Sequence, residues 1–430
     1  MSEADNDSVA QAVRLAASTR EPQLARRMNL PLLVLYGLSV TIGAGIYVLV
    51  GEVAARAGFY TPMAFVGASL LVALSAASYS ELSCRFPVSA GEAAYVQAGL
   101  GISALALTVG LLVAASGIVS SAAILRGGAG YVQEFIAAPT WLIALLAGGI
   151  MAAIAAWGIS QSAWTAAILG VLEVSLLVII IAIGLSEPAP VAAALDSMVD
   201  TPSAGQIASL TGAVLIAFFA FIGFEDLVNV AEEVKDPLYT MPRAIAATLI
   251  ITTLIYFLVA LVAIAHIPLS ELAKSSAPLT LLFEKLTNSA ASAQVVSFVA
   301  IAAVMNGVLV QIVMASRVLY GLSRMGHLPE FLGHVNRRTR TPLAATAIAT
   351  AIIMALCLSS ETSTLADMTS TITLVAFAMI NLSLWRLKVA GQPDDIEIFT
   401  VPMWVPVTGF FVSLGFVVYE WASRFGIIAG

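Results

Sequence analysis

Apolar residues fill most of the chain in stretches long enough to be membrane spans, separated by short polar or proline-bearing breaks. A helix that crosses a bilayer needs about 20 such residues. On that rule the sequence predicts eleven spans, near 30–56, 62–84, 99–124, 140–158, 164–185, 207–231, 243–266, 293–322, 343–360, 365–387 and 404–423. The breaks fall at Thr61-Pro62, Phe86-Pro87, Pro139, Glu187-Pro188, Asp236-Pro237, Pro268, Leu328-Pro329, Thr341-Pro342 and Pro402. Each is a residue pattern that ends a helix or turns the chain.

Two spans are interrupted from within. The first holds Thr41-Ile42-Gly43-Ala44-Gly45-Ile46 at its middle. Glycine is a poor helix former, at about 1 kcal/mol per residue against alanine, so unwinding there is cheap. Irregular backbone at mid-membrane persists only where protein buries it or a wet cavity meets it. The sixth span holds Phe218-Phe219-Ala220-Phe221-Ile222-Gly223-Phe224-Glu225-Asp226. A charged side chain at a helix centre costs at least about 2.5 kcal/mol on insertion scales, so both acids are expected to face an interior cavity. The interrupted spans are five apart. Such pairing points to an inverted repeat with a binding site between the halves. The domains expected are a tail over 1–27, repeats over 28–189 and 190–390, and an added helix within 391–430. Freed backbone groups and the positive end of the outgoing half-helix suit a small zwitterion.

Composition agrees with an all-α integral membrane protein. The chain has 430 residues, 60% hydrophobic and 10% charged, and a mean hydropathy of +0.97; soluble proteins carry about 25% charged residues. With the N-terminus in the cytoplasm, Arg14, Arg20, Arg26, Arg27, Arg85, Lys235, Arg243, Arg317, Arg324, Arg337, Arg338, Arg340, Arg386 and Lys388 fall inside. Arg56, Arg126, Lys274, Lys285 and Arg424 fall outside. That excess on one side supports the orientation and an odd number of spans, in a plasma membrane. No short apolar core with a small-residue cleavage site precedes the first span, so no cleaved signal peptide is expected. Cys84 and Cys357 read as small core fillers, and no metal-ligand spacing occurs. No cofactor, glycine-rich phosphate loop or catalytic pairing is expected, hence no enzyme. The run Arg337-Arg338-Thr339-Arg340 suits anionic lipid head groups rather than nucleic acid.

Four stretches together resemble the amino acid–polyamine–organocation permeases, in particular bacterial relatives of the cationic amino acid transporters. They are Thr41–Tyr47; Glu81–Gly91 with Tyr95; Phe218–Glu225 with Ala231–Pro237 and Pro242-Arg243; and Ala315–Arg324 through Gly326 and Pro329. Phe399–Pro402 adds a fifth, shorter match. The resemblance implies a five-plus-five inverted-repeat fold and secondary transport of amino acids by alternating access. It implies that the Ile42–Ile46 backbone receives an α-carboxylate and that carbonyls around Phe219–Ile222 receive the α-amino group. It makes Phe219 or Phe221 a gate, with Phe218 and Ala220 beside it, and completes the pocket near Ser116 and Asn306. One position departs: Glu173 stands where these relatives carry a lysine taken to bear the coupling proton. An acid there can carry that proton, ligate Na⁺ or balance a cationic substrate. Glu225 and Asp226 join it as coupling candidates.

Blander readings stand beside these. Gly43 and Gly45 can serve close helix packing, and the two acids of the sixth span can cap free backbone ends. Asn306 and Gln311 can bond across helices, Glu173 can bond a nearby hydroxyl, and Glu232 and Glu233 can be solvated or paired with Arg243. Proton coupling is favoured over sodium, because the eighth span offers Ala315-Ser316 instead of paired hydroxyls. The substrate is read as a neutral or broad range of L-amino acids, with a cationic amino acid or polyamine as the alternative. A channel or a non-transporting sensor on the same fold is the alternative of a different class. Oligomeric state has no sequence signal.

Overall fold

The computed structural model describes residues 24–133, 135–198, 204–275, 278–289, 291–359, 362–391 and 398–424. Most of the tail expected over 1–27 lies outside them. Among the described residues the chain is helical, with α1 Leu30–Thr41, α2 Ala44–Ala57, α3 Thr61–Arg85, α4 Gly91–Leu100, α5 Ser103–Gln133, α6 Thr140–Trp157, α7 Ile159–Leu185, α8 Pro188–Ser197 and α9 Ala204–Phe219. There follow a 3-10 stretch Phe224–Glu233 and α10 Pro237–His266, α11 Leu269–Leu272, α12 Pro278–Thr287, α13 Ala291–Arg324, α14 Leu343–Ser359, α15 Thr362–Ala390 and α16 Trp404–Arg424. Among the described residues, 8 helical stretches are long and apolar enough to cross a membrane, and shorter apolar helices run over Ser209–Phe218, Leu343–Ser359 and Trp404–Val418. Large apolar side chains such as Trp141, Leu146, Trp157, Trp164, Ile168, Ile250 and Phe411 stand exposed on the outside. A soluble surface avoids such a belt, and a bilayer requires it.

Both expected breaks are present. Asn29 caps α1 by accepting from the Leu32 amide at 3.1 Å, with Pro31 in the first turn, where its missing N–H is no loss. The helix stops at Thr41, Ile42 and Gly43 leave helical geometry, and α2 restarts at Ala44. The second break runs from Ala220 to Gly223, whose φ of 125° is a conformation side-chain-bearing residues avoid. The breaks are packed face to face. A Cβ on Gly45 would lie 2.9 Å from the Ala220 Cα, and one on Gly223 would lie 3.0 Å from the Val40 carbonyl oxygen.

Around this centre α1 packs on α7 and α10, α9 on α2 and α3, and α3 on α10. A second group has α5 against α13 and α15, with α7 also on α13. At one end the chain entering α1 pairs with the chain leaving the 3-10 stretch. The Arg27 and Met28 amides donate to the Glu233 carbonyl at 2.9 and 3.0 Å, and the Lys235 amide to that of Met28 at 2.8 Å.

Two charge assignments differ from expectation at this end. Glu233 is buried and binds Arg317 Nε at 2.8 Å, with both side chains fully sequestered, whereas Arg243 turns back to the Tyr239 carbonyl. Glu232 accepts from the Ser89 amide at 2.9 Å. The 3-10 stretch winds more tightly than an α-helix, which turns Glu233 inward onto α13. The short helices α4, α8, α11 and α12 were not anticipated. Cys84 and Cys357 are buried free thiols.

Candidate functional site

A cavity of about 580 Å³ lies between the two breaks and the α5–α13–α15 group, a size common for small-molecule sites. It follows α5 from Val113 to Gly128 and α13 from Ala300 to Met314, which is about 20 Å of helix at 1.5 Å per residue. Thr41, Gly43 and Gly45 line it from the first break; Ala220, Ile222, Glu225 and Asp226 from the second; Ser116 from α5. The α2 N-terminus therefore opens onto the cavity with its first amides free of helical partners.

Other expected residues stand elsewhere. Ile42 and Ile46 are packed in the core. Phe218 stacks on Phe416 at 5.4 Å and meets Phe377 edge-on. Phe221, expected as a gate, turns away to pack on Tyr256 at 5.1 Å. The side chains of Ala44 and Phe219 lie outside the described residues. Among the described residues, the aromatic side chains that face the cavity are Tyr47, Tyr79 and Phe377, the last two in edge contact at 5.8 Å. Ser116 bonds Thr373 across α5 and α15 at 3.2 Å.

Asn306 sits behind the cavity wall as a junction. Its Nδ2 donates to the Ser39 carbonyl at 2.8 Å and to Glu173 Oε1 at 3.0 Å. The side-chain partner of Glu173 is thus the Asn306 amide on α13, where the blander alternative places a nearby hydroxyl. Glu173 is fully buried, and its Oε2, like Asn306 Oδ1, has no hydrogen-bond partner. Tyr47 donates to the Glu173 backbone carbonyl at 3.2 Å.

The other acids gather along the cavity. Glu225 Oε2 accepts from the Gly223 amide at 2.7 Å, which caps the second break. Asp226 Oδ2 accepts from Gln311 at 2.8 Å. Glu92, on α4, also lines the cavity. It accepts from Asn229 at 3.3 Å through Oε1, and its Oε2 is unpartnered. Burial, with nearby Glu225 adding to it, pushes the Glu92 carboxyl up to about 8, against its own amide and Asn229, which pull it down. Tyr79, Tyr95 and Asp226 also face it. Lys, Arg and His are missing from the described lining. Among the described residues no cluster of three or more His, Cys, Asp or Glu is arranged to hold a metal ion.

The sequence profile described as amino acid permease matches residues 31–423, nearly the whole chain. The chain belongs to the amino acid permease family. Among relatives, it is 30% identical over 400 residues to a cationic amino acid transporter 3, mitochondrial, of Arabidopsis thaliana, covering 87% of this permease and 64% of that protein. The permease thus spans less than two thirds of that relative's length. It is 29% identical to the branched-chain amino acid permease BcaP of Bacillus subtilis (strain 168), covering 90% of this chain and 86% of that one. A solved structure of a Na⁺-coupled sialic acid symporter shares the fold, with TM-score 0.59, 14% identity and coverage of 99% and 97%. This permease is therefore a multi-pass, all-α membrane protein with a transporter fold and, like the family it belongs to, not an enzyme.

Proposed function

We propose that this permease is a proton-coupled secondary transporter of amino acids working by alternating access across the plasma membrane, with its N-terminus cytoplasmic and repeats over 28–189 and 190–390. One observation carries the reading: two helix breaks packed against each other both line one cavity, the first presenting an amide-bearing helix start and the second backbone released from its helix. The Ile42–Ile46 backbone receives the α-carboxylate, and carbonyls over Phe219–Ile222 receive the α-ammonium. Glu173 carries the coupling proton. A buried carboxylate without a counter-charge is costly, and a proton on Oε2 turns an orphan acceptor into a donor. Sodium is disfavoured because the Ser316 hydroxyl is committed to the Val313 carbonyl and to Arg317.

Proteoliposome uptake under an imposed pH gradient, with and without Na⁺, tests this. Proton-driven uptake is expected; uptake driven by Na⁺ alone refutes the coupling. Glu173→Gln is expected to abolish gradient-driven accumulation while counterflow exchange persists. A linear, non-saturating flux would favour a channel, and ligand binding without flux a sensor.

A second reading concerns the cargo. Glu92, Glu225 and Asp226 line the cavity with no basic residue among them, which favours a cationic amino acid or a polyamine over a neutral one. A thermal-shift screen of the twenty L-amino acids and polyamines decides between them.

A further inference from the structure

Tyr256, on α10, belongs to neither break. Its side chain is fully buried, with its ring held edge-on between Phe65 at 5.5 Å and Phe221 at 5.1 Å. Its hydroxyl lies 2.8 Å from the Thr41 carbonyl and 2.9 Å from the Ala220 carbonyl. Thr41 ends α1, and Ala220 follows the end of α9. In an unbroken helix each carbonyl would accept an amide four residues on. Both have lost that partner, and one hydroxyl hydrogen now serves two acceptors. A phenol offers a single donor, so the pair keeps acceptor capacity while its spacing is fixed. Gly45 lets the breaks approach from the other side, where a Cβ would meet the Ala220 Cα at 2.9 Å.

We propose that Tyr256 is a positioning residue whose hydroxyl holds the Thr41 and Ala220 carbonyls in register as a preformed receptor for a primary ammonium group. The inference rests on the amino acid reading of the cavity and adds to it how the receptor is built. Packing alone would hold the ring; only the oxygen joins the breaks. Loss of that oxygen should therefore weaken ligands that present an ammonium group more than ligands that do not.

The test uses the purified full chain and two probes. One is the L-amino acid that most raises the melting temperature of the wild type; the other is the 2-hydroxy acid with the same side chain. Tyr256→Phe is expected to weaken the amino acid about tenfold and to leave the hydroxy acid within about twofold. Gly45→Ala pushes the breaks apart without touching Tyr256 and should reduce the same amino-to-hydroxy preference. It supplies the readout if Tyr256→Phe is not recovered folded. Equal weakening of both probes, or an unchanged preference in either variant, overturns the proposal. If the wild type binds no amino acid at all, the reading of the cavity fails instead.

Discussion

The Arg317–Glu233 pair is the sharpest place to test the energetics of this chain. It joins α13 to the end of the 3-10 stretch, with N–O at 2.8 Å and neither side chain reaching solvent. Removing one partner leaves the other charge buried, which costs about 3–5 kcal/mol. Glu233→Gln and Arg317→Met are therefore each expected to destabilise by that amount. An unfolding entropy of about 2.1 cal/mol/K per residue, over 430 residues, makes each kcal/mol worth about 1 °C in Tm. Each single variant should melt about 3–6 °C lower in detergent. The double variant Glu233→Met/Arg317→Met removes both charges and should recover most of the loss, since apolar replacements of buried pairs are often neutral. Because water is excluded, added salt should change these shifts little. Single variants within about 1 °C of wild type, or a double variant whose loss equals the sum of the singles, would refute a coupled buried pair.

Three further expectations follow from the geometry. Gly223→Ala must adopt φ near 125° and meets the Val40 carbonyl at 3.0 Å; it should cost at least about 1 kcal/mol and lower the folded yield from expression. If Glu92 contributes to cation binding, its carboxyl is protonated below about 8 and charged above it. Binding of arginine relative to alanine should then rise from pH 7 to pH 9 by about tenfold at most, and Glu92→Gln should flatten that slope in a competition assay. Asn381 donates to Ser75 at 2.9 Å and accepts from Ser78 at 2.8 Å. Asn381→Leu should strand the Ser75 hydroxyl, leave Ser78 only its longer bond to the Leu74 carbonyl at 3.3 Å, and lower stability by about 1–3 kcal/mol, read by thermal unfolding.

The spans and their breaks were legible because both are written locally. A run of about 20 apolar residues is hard to mistake, and Gly43, Gly45 and Gly223 mark where a helix is weakest. Which face of each span meets the cavity was not legible. A helix apolar all round has no amphipathic direction to read, so Phe221 and Phe218 looked as fit to guard the site as Phe377, which lines it. Tyr256 was invisible for another reason: its partners lie 215 and 36 residues away, and nothing nearby marks a tyrosine in an apolar run. Arg317 read as one more basic residue on the cytoplasmic flank, because sequence shows charge but not burial. Glu92 sits on a helix too short and polar for a rule that looks for spans.

One carboxylate, that of Glu81, binds three separate parts of the chain. It takes Arg85 on its own helix at 2.8 Å, Lys388 near the end of α15 at 2.8 Å and the Val401 amide just before α16 at 2.7 Å. With both oxygens so occupied, α3, the foot of α15 and the start of α16 are riveted together. A displacement of α3 at this end therefore draws the foot of α15 and the entry to α16 along with it.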